Sequence, residues 1–156
     1  MRTEALTAET VRKYRGEIAR FYFDNISSCS CMSHYTFDEA YEKIGDFIRY
    51  LDAGEAIGYG LFEKAEICGY IWAYPHQFRE EKRVYVNEIR IREDCRGQGY
   101  GKELLRLVEE RAKEMGINAV YLHAEANNPS AVGFYHANGY EEERVQFRKE
   151  IAQDQK

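Results

Sequence analysis

A turn rich in glycine and basic residues is the part of the sequence best suited to binding phosphate. A strand-like pattern precedes this turn and an amphipathic helical pattern follows it. Glycine lets the backbone approach a ligand closely, and the N–H groups at the start of a helix bind phosphate oxygens. We therefore predict a phosphate site formed by seven consecutive residues: Arg96, Gly97, Gln98, Gly99, Tyr100, Gly101 and Lys102.

The spacing of these glycines disfavours two common nucleotide-binding loops. A Walker loop needs a glycine before its Gly-Lys pair and Ser or Thr after it, but Arg96 and Glu103 hold those positions. The dinucleotide fingerprint G-x-G-x-x-G needs a third glycine where this sequence has Lys102 or Leu104. The sequence therefore argues against both a nucleoside triphosphate and NAD.

The composition indicates one acidic globular domain over residues 1–156. The chain has 22 Lys and Arg against 27 Asp and Glu, which gives a formal net charge of −5. This balance disfavours nucleic acid and suits a cationic small molecule or a basic peptide. Without a membrane span or a signal-peptide pattern, we expect a cytoplasmic protein that does not contact the membrane. The polar residues 152–156 are expected to form a disordered tail.

The four cysteines are too few and too scattered for a disulfide scaffold, so we expect free thiols. Cys29, Cys31 and His34 form a C-x-C-x-x-H cluster. This cluster lacks the usual C-x-x-C spacing and the second half of a zinc site. We interpret it as part of a loop between two helices, and we expect no metal.

Two helical patterns come first in the chain. Apolar residues recur with the period of a helix over 11–23, where Thr7 or Thr10 can cap the start. A second helix is predicted over 38–51, with Gly54 just beyond its end.

Three strands are predicted next. Segments 56–63 and 67–74 are rich in aromatic and β-branched residues and flank a short polar turn, which predicts a hairpin. After a charged loop over 79–83, a third strand is predicted over 84–92.

The apolar pattern of the third strand is irregular. In a regular strand, Val84 and Val86 would point to one face of the sheet, whereas Ile89 and Ile91 would point to the other. A one-residue bulge near 87–88 would bring all four onto one face. Alternatively, both faces of a central strand can be buried.

The rest of the chain alternates between helices and strands, which makes a mixed α/β fold with one βα unit in its middle. The predicted elements are a helix over 101–115, a strand over 119–124, a helix opened by Asn128 and Pro129 and ended by Gly139, and a strand over 140–147.

Two motifs resemble those of the GNAT superfamily of acetyl-CoA-dependent N-acetyltransferases. The first is Arg-x-x-Gly-x-Gly, which is similar to the pyrophosphate loop of that family. The second is similar to the run N-x-x-A-x-x-(L/F)-Y-x-x-x-G-(F/Y) that closes its fold. The first motif comprises Arg96, Gly99 and Gly101, and the second comprises Asn128, Ala131, Phe134, Tyr135, Gly139 and Tyr140.

The resemblance covers residues 56–147, and the two preceding helices agree with it. It is strongest to the type that acetylates ribosomal proteins and small amines. It implies a mixed, mainly antiparallel sheet with a central splay, flanked by about four helices. One departure is the short segment before the first helix, where the family has a strand. That strand is either truncated or absent here.

The resemblance implies a binding site for acetyl-CoA as co-substrate. The pantetheine arm would pair with β-strand backbone at the splay, and the diphosphate would lie on the N–H groups of the glycine-rich turn, with charge added by Arg96 and Lys102. The implied cofactor-binding residues outside that turn are Ile89, Arg90, Ile91, Asn128, Ala131 and Tyr135.

The resemblance also assigns catalytic roles. Tyr135 matches the tyrosine that acts as general acid toward the departing sulfur. His123 occupies the position of a glutamate base in the ribosomal-protein type, and imidazole suits a base at neutral pH. Glu88, at the expected splay, is the rival base, and deprotonation through water is a third alternative.

The implied reaction is transfer of an acetyl group to a primary amine of an unidentified acceptor. The alternative is a non-catalytic acyl-CoA-binding or regulatory module, and a nucleic-acid-binding protein ranks last. Relatives form homodimers through sheet edges or C-terminal strands, although residues 153–156 carry no interface signal. Candidate acceptor-site residues are Tyr35, Trp72, Tyr74, His76 and Glu125.

Overall fold

The computed structural model describes residues 1–27 and 34–151, which form five helices and one five-stranded sheet. One compact unit spans Met1–His123, and a second begins at Ala124. In the first unit the elements are β1 (Arg2–Ala5), α1 (Ala8–Lys13), α2 (Arg15–Ser27), α3 (Phe37–Asp52), β2 (Ile57–Glu63), β3 (Glu66–Phe78), β4 (Glu81–Ile91), α4 (Tyr100–Glu114) and β5 (Val120–Tyr121). The second unit contains α5 (Pro129–Ala137).

The sheet has the order β1-β2-β3-β4-β5 and is antiparallel except for its last pair. This confirms the mixed, mainly antiparallel sheet expected from the sequence. The first strand is present but short, with Arg2 opposite Phe62 and Ala5 opposite Tyr59. Of the two alternatives for that strand, truncation is therefore correct.

The helix predicted over 11–23 is two helices, because the chain leaves helical geometry at Tyr14 (φ −104°, ψ 20°). The hydroxyl of Tyr14 donates to the carbonyl of Ala65 over 2.8 Å, which ties this break to the β2–β3 turn. Thr7 caps α1 by accepting from the N–H of Thr10. The second prediction, over 38–51, is confirmed by α3, which opens with a capping box between Thr36 and Glu39.

The face of the sheet that packs against α1, α2 and α3, termed the helix face, carries the larger part of the core. α3 buries Ala40, Ile44 and Phe47 on this side. The ring of Phe47 stacks on Trp72 at 4.6 Å between centroids. On the opposite face lies α4, whose buried stripe is Leu104, Leu105, Val108 and Ala112.

The predicted bulge in β4 is confirmed by the register of β3 and β4. Trp72 pairs with Glu88 and Ala73 pairs with Val86, so Asn87 is the extra residue. The four apolar residues Val84, Val86, Ile89 and Ile91 therefore pair with alternate β3 residues and share one face. Glu88 and Arg90 consequently lie on the opposite face, toward α2 and α3.

The third strand also begins earlier than predicted. The loop expected over 79–83 is a two-residue turn at 79–80, and β4 starts at Glu81. Charged residues continue the strand there because β3 extends to Phe78 and supplies a pairing partner as far as Glu81.

The strand predicted over 119–124 pairs only at Val120 and Tyr121. These residues lie parallel to Val84 and Tyr85 of β4. Beyond Tyr85, no described residue continues the ladder on this side of β4. The two strands thus pair at one end only.

In the second unit, α5 is capped by Asn128 with Pro129 in its first turn, as predicted. Gly139 follows the helix with φ +84°. The strand predicted over 140–147 is wrong, since residues 138–151 have no regular secondary structure. Val145 and Phe147 are 66% and 91% exposed, so their alternation does not form a buried strand face.

Some predictions fall outside the described residues. These are the positions of Cys29 and Cys31 and the tail over 152–156. Among the described helices, none is both long and apolar enough to cross a membrane.

Candidate functional site

The glycine-rich turn adopts a backbone that requires glycine at two positions. A short 3₁₀ turn over Glu93–Cys95 leads into it, and Gly97 and Gly99 have φ values of +73° and +85°. Gly99 is the N-cap of α4 and its carbonyl accepts from the N–H of Glu103. The N–H groups before Glu103, in the first turn of α4, have no acceptor within the helix and are available to an anion.

Two basic side chains lie on this turn, and both Arg96 and Lys102 are exposed. Arg96 also donates from Nε to the carbonyl of Ile91 over 2.9 Å. The end of β4 and the start of the phosphate turn are thereby joined. The cradle fits a diphosphate, since it combines backbone N–H donors with two cations.

A buried cysteine immediately precedes the glycine-rich turn and packs into the core. Cys95 is 3% exposed and packs in a cluster with Leu61, Cys68, Ile91 and Tyr100. Burial raises the pKa of the Cys95 thiol to about 11. Both Cys68 and Cys95 are free and buried, as is typical of structural rather than nucleophilic cysteines.

The edge of β4 that faces β5 is the expected place for an extended ligand. Pairing with β5 stops at Tyr85, whereas β4 continues to Ile91 on its β3 side. The predicted backbone site at Ile89, Arg90 and Ile91 lies on this stretch. Of its groups, the carbonyl of Ile91 accepts from Arg96.

A buried polar cluster lies on the helix face of β4. Glu88 is the one buried charged residue among those described, at 6% exposure. Nδ2 of Asn25, on α2, donates to Oε1 of Glu88 over 2.8 Å. Oδ1 of Asn25 accepts from Nη1 of Arg90 over 3.2 Å. The carboxamide of Asn25 thus bridges the acid and the guanidinium.

This environment changes the acidity of Glu88. Burial raises its pKa to about 8, while the charge of Arg90 and the hydrogen bond from Asn25 act in the opposite direction. A carboxyl group that titrates there is matched to proton transfer near neutral pH.

Two tyrosines complete the cluster. Burial raises the pKa of both Tyr22 and Tyr70, and the charge of Glu88 contributes to each shift. Tyr70 pairs with Arg90 across the strands. Its hydroxyl is buried and has no hydrogen-bond partner among the described residues, which is costly unless a ligand or a water satisfies it.

His123 lies at the other end of the same sheet face. It is exposed, and its Nδ1 is 3.4 Å from the hydroxyl of Tyr85. The rings of His123 and Tyr121 meet edge to face at 6.0 Å. Burial raises the pKa of Tyr85, and the neighbouring tyrosines and the charge of Glu88 act in the same direction. The structure therefore brings both predicted bases onto one face, with Tyr85 near each of them.

In the second unit, Tyr135 lies on α5. Its ring is 5.3 Å from Phe134 and 6.0 Å from Tyr140. Oδ1 of Asn128 accepts from the N–H of Ala131 over 3.1 Å. The spacing of Asn128 and Ala131 in the second motif is therefore explained by helix capping.

The candidate acceptor residues have different environments. Trp72 is 1% exposed and belongs to the core. Tyr74 is half-buried and stacks on Tyr50 at 5.8 Å, and the exposed His76 lies beside Tyr121. The half-buried Tyr35 packs on Tyr22 at 6.2 Å. Tyr35 also lines an acidic groove of about 400 Å³ along α3, with Asp38, Glu39, Glu42, Lys43 and Asp46.

The sequence patterns do not predict Asn25, Tyr22 or Tyr70 as site residues, and they predict only a backbone role for Arg90. The one available signal was an asparagine that closely follows the aromatic run Phe21–Phe23 in α2. No three described His, Cys, Asp or Glu side chains converge as a metal site.

Residues 16–140 match the sequence profile of the Acetyltransferase (GNAT) family. The chain therefore belongs to this family. It is a GNAT N-acetyltransferase that depends on acetyl-CoA.

The chain is similar to the uncharacterized N-acetyltransferase YdgE of Bacillus subtilis, with 27% identity over 95% of this chain and 96% of that protein. It is 25% identical to an L-methionine sulfoximine/L-methionine sulfone acetyltransferase of Pseudomonas paraeruginosa, over 59% of this chain and 56% of that one. The crystal structure of the BH1408 tetramutant from Bacillus halodurans has the same fold. Its TM-score is 0.79 at 17% identity, over 97% of this chain and 100% of that chain.

Proposed function

We propose that this protein acetylates the primary amine of a small molecule or peptide by direct attack in a ternary complex. The observation that carries the proposal is the buried Glu88 at the bulge of β4, beside the stretch of strand that has no partner toward β5. An acid with a pKa of about 8 in this position suits deprotonation of an amine.

The residues proposed to hold acetyl-CoA rest on the geometry of the first unit and on the second motif. The N–H groups of 97–102 would bind the diphosphate, and Arg96 and Lys102 would add charge. The backbone of Ile89–Ile91 would pair with the pantetheine arm as an added strand. Asn128, Ala131 and Tyr135 are proposed cofactor contacts from the second motif. When bound, the thioester supplies an activated acetyl group.

The proton balance requires two acceptors at the protein. An ammonium must lose one proton before its nitrogen can attack, and a second as the new C–N bond forms and the C–S bond breaks. Glu88 would take the first proton, directly or through water. His123 is the rival for this role and lies on the same face.

Tyr135 is proposed to give its hydroxyl proton to the departing sulfur. The attacking nitrogen then gives its second proton to the Tyr135 phenolate, which leaves a neutral amide, the CoA thiol and a restored Tyr135 hydroxyl. Its support is the position of Tyr135 in the second motif. Because a thiolate is stabilised by a proton, loss of this hydroxyl should slow the chemical step more than it weakens binding.

Several wider assignments belong to the same proposal. The family match over 16–140 spans both compact units, which supports a single N-acetyltransferase domain. The free Cys68 and Cys95 support a reducing, cytoplasmic location. A homodimer would use a sheet edge such as β1. The subtype that acts on ribosomal proteins or small amines is supported by the family's use of amines.

The test is release of free thiol from acetyl-CoA over a panel of amines, with mass-spectrometric detection of products. Tyr135→Phe is expected to lower kcat about 100-fold, whereas the neighbouring Tyr140→Phe serves as matched control. Glu88→Gln should remove the dependence of kcat/KM on a group titrating near pH 8, and His123→Ala should retain it.

Three outcomes would overturn parts of this proposal. Loss of the pH dependence in His123→Ala but not in Glu88→Gln would make His123 the base. An unchanged rate in Tyr135→Phe would remove the general acid. Tight CoA binding without turnover on any amine would favour the alternative, a non-catalytic acyl-CoA-binding module.

A further inference from the structure

Arg90 has no carboxylate in direct contact among the residues that the structure describes. It is half-buried on the helix face of β4, and among the described residues it makes one side-chain hydrogen bond, to the neutral Asn25. A guanidinium has five N–H donors and matches a carboxylate with two parallel hydrogen bonds. Arginines elsewhere in this chain have such partners, as Arg92 does in Glu66 and Asp94.

Glu88 lies two residues away on the same face of the strand. The Asn25 carboxamide spans the gap, with contacts of 2.8 Å to Glu88 and 3.2 Å to Arg90. The acid and the guanidinium are therefore separated by about one small polar group and its two hydrogen bonds. They are not in salt-bridge contact with each other.

A third group points to a ligand at the same place. Within residues 1–27 and 34–151, the buried hydroxyl of Tyr70 has no hydrogen-bond partner, and Tyr70 pairs with Arg90 in the sheet. A hydroxyl can accept from an ammonium or donate to a carboxylate, so it suits either end of a zwitterion. The half-buried Asn25 and Arg90 leave one side of this cluster less enclosed than Glu88.

We propose that Arg90 is a specificity residue that binds a carboxylate of the acceptor, and that the acceptor is therefore an amino acid or a close analogue. The inference rests on the proposed function, with the amine directed to Glu88 and the carboxylate to Arg90. An α-amino acid carries these two charges on one carbon. With one hydrogen bond at each end it spans a gap similar to the one that the Asn25 carboxamide spans between the two side chains. Asn25 holds both side chains in position.

The test compares kcat/KM for three matched acceptors: phenylalanine, its carboxamide and phenethylamine. The same series built on methionine supplies an independent set. The wild-type protein is expected to prefer the amino acid by ten-fold or more over either analogue that lacks the carboxylate, as for a charge-assisted, bidentate contact. Arg90→Met should reduce this preference to near one, and Arg90→Lys should retain part of it.

The ratio is the proper readout because Arg90 also influences the pKa of Glu88. A change in the base alters the rate with all three acceptors and leaves their ratio unchanged, whereas loss of carboxylate recognition changes the ratio. Arg20→Met on the exposed side of α2 is the matched control, and its ratio should equal that of the wild-type protein.

Two results would overturn the inference while the proposed function stands. One is a wild-type protein that acetylates phenethylamine or the carboxamide as well as the amino acid. The other is an unchanged preference in Arg90→Met. If no acceptor releases thiol from acetyl-CoA, the proposed function itself fails.

Discussion

At the scale of single residues, Glu88 has the least ordinary chemistry in the described part of the chain. Strand β4 places its carboxyl group beneath α2, where burial opposes its negative charge more than Arg90 and Asn25 favour it. Burial raises the pKa of Glu88, which suits it to take a proton. The same burial means that ionising Glu88 destabilises the folded state.

This cost predicts a pH-dependent stability difference between the wild-type protein and Glu88→Gln. The folded pKa of about 8 lies above the ordinary value of 4.5, so the folded state retains the proton while the unfolded state loses it. The wild-type protein is therefore expected to lose stability relative to Glu88→Gln as the pH rises from about 5 to 8. Each unit of difference in pKa corresponds to about 1.4 kcal/mol.

Urea denaturation of both proteins between pH 5 and 9 measures this difference. The gap should widen up to about pH 8 and become constant above it. A gap that is the same at every pH would show that Glu88 titrates at its ordinary value. Glu55→Gln, at an exposed position, is the control and should show no trend.

At the scale of elements, the cluster depends on the packing of α2 against β4. Asn25 reaches Glu88 across 63 residues of sequence. Its amide hydrogen bond stabilises the ionised form of Glu88. The helix therefore tunes a group that belongs to the sheet.

Asn25→Leu is expected to move the pH dependence of kcat/KM to higher pH. Loss of the donor raises the pKa of Glu88 further above its present value, because the carboxylate loses its hydrogen bond. The measurement is the pH profile of acetyl transfer to one amine. Asp24→Asn, at an exposed neighbouring position, should leave the profile unchanged, and an unshifted profile in Asn25→Leu would refute the role of Asn25.

The phosphate turn and the far end of α4 offer a matched pair of glycines. Gly99 and Gly116 have φ values of +85° and +69°, and neither would bring an added Cβ within 4 Å of another atom. Alanine at either position should cost about 1–2 kcal/mol of stability through backbone strain. Only Gly99→Ala should also weaken CoA binding, because it distorts the N–H groups at the start of α4.

Isothermal titration with CoA and thermal unfolding separate the two effects. Equal losses of stability with a CoA affinity reduced only in Gly99→Ala would support the site. Equal affinities in the two variants would place the diphosphate elsewhere.

At the scale of the whole molecule, the net charge of −5 coexists with a local excess of positive charge at the phosphate turn. The acidic groove along α3 lies elsewhere in the first unit. Charges of opposite sign are thus held on separate parts of the chain, which suits a ligand pair made of an anionic coenzyme and an amine.

We expect one cooperative thermal unfolding transition for the whole chain, shifted to higher temperature by CoA. Preferential binding to the folded state stabilises it by about 2.7 kcal/mol when CoA is present at 100 times its dissociation constant. Differential scanning calorimetry measures both properties. Two transitions, of which CoA shifts only one, would contradict a single domain that includes both compact units.

The sequence alone determined the features that depend on local backbone chemistry. Gly99, the capping of α5 by Asn128 and the bulge at Asn87 are all predictable, because each follows from steric limits, capping or apolar parity within a few residues. The family motifs depend on the same local rules. The alternation of apolar residues wrongly predicted a strand over 140–147. A strand also needs a partner strand, and the local pattern contains no information about one.

Only the tertiary structure decided the environment of the side chains. It placed Asn25 between Glu88 and Arg90, buried the hydroxyl of Tyr70 and limited the β4–β5 ladder to two pairs. These facts arise from contacts between residues far apart in the chain, where burial and charge set the pKa of Glu88. No pattern within a single helix or strand contains that information, because the electrostatics of a site depend on everything packed around it.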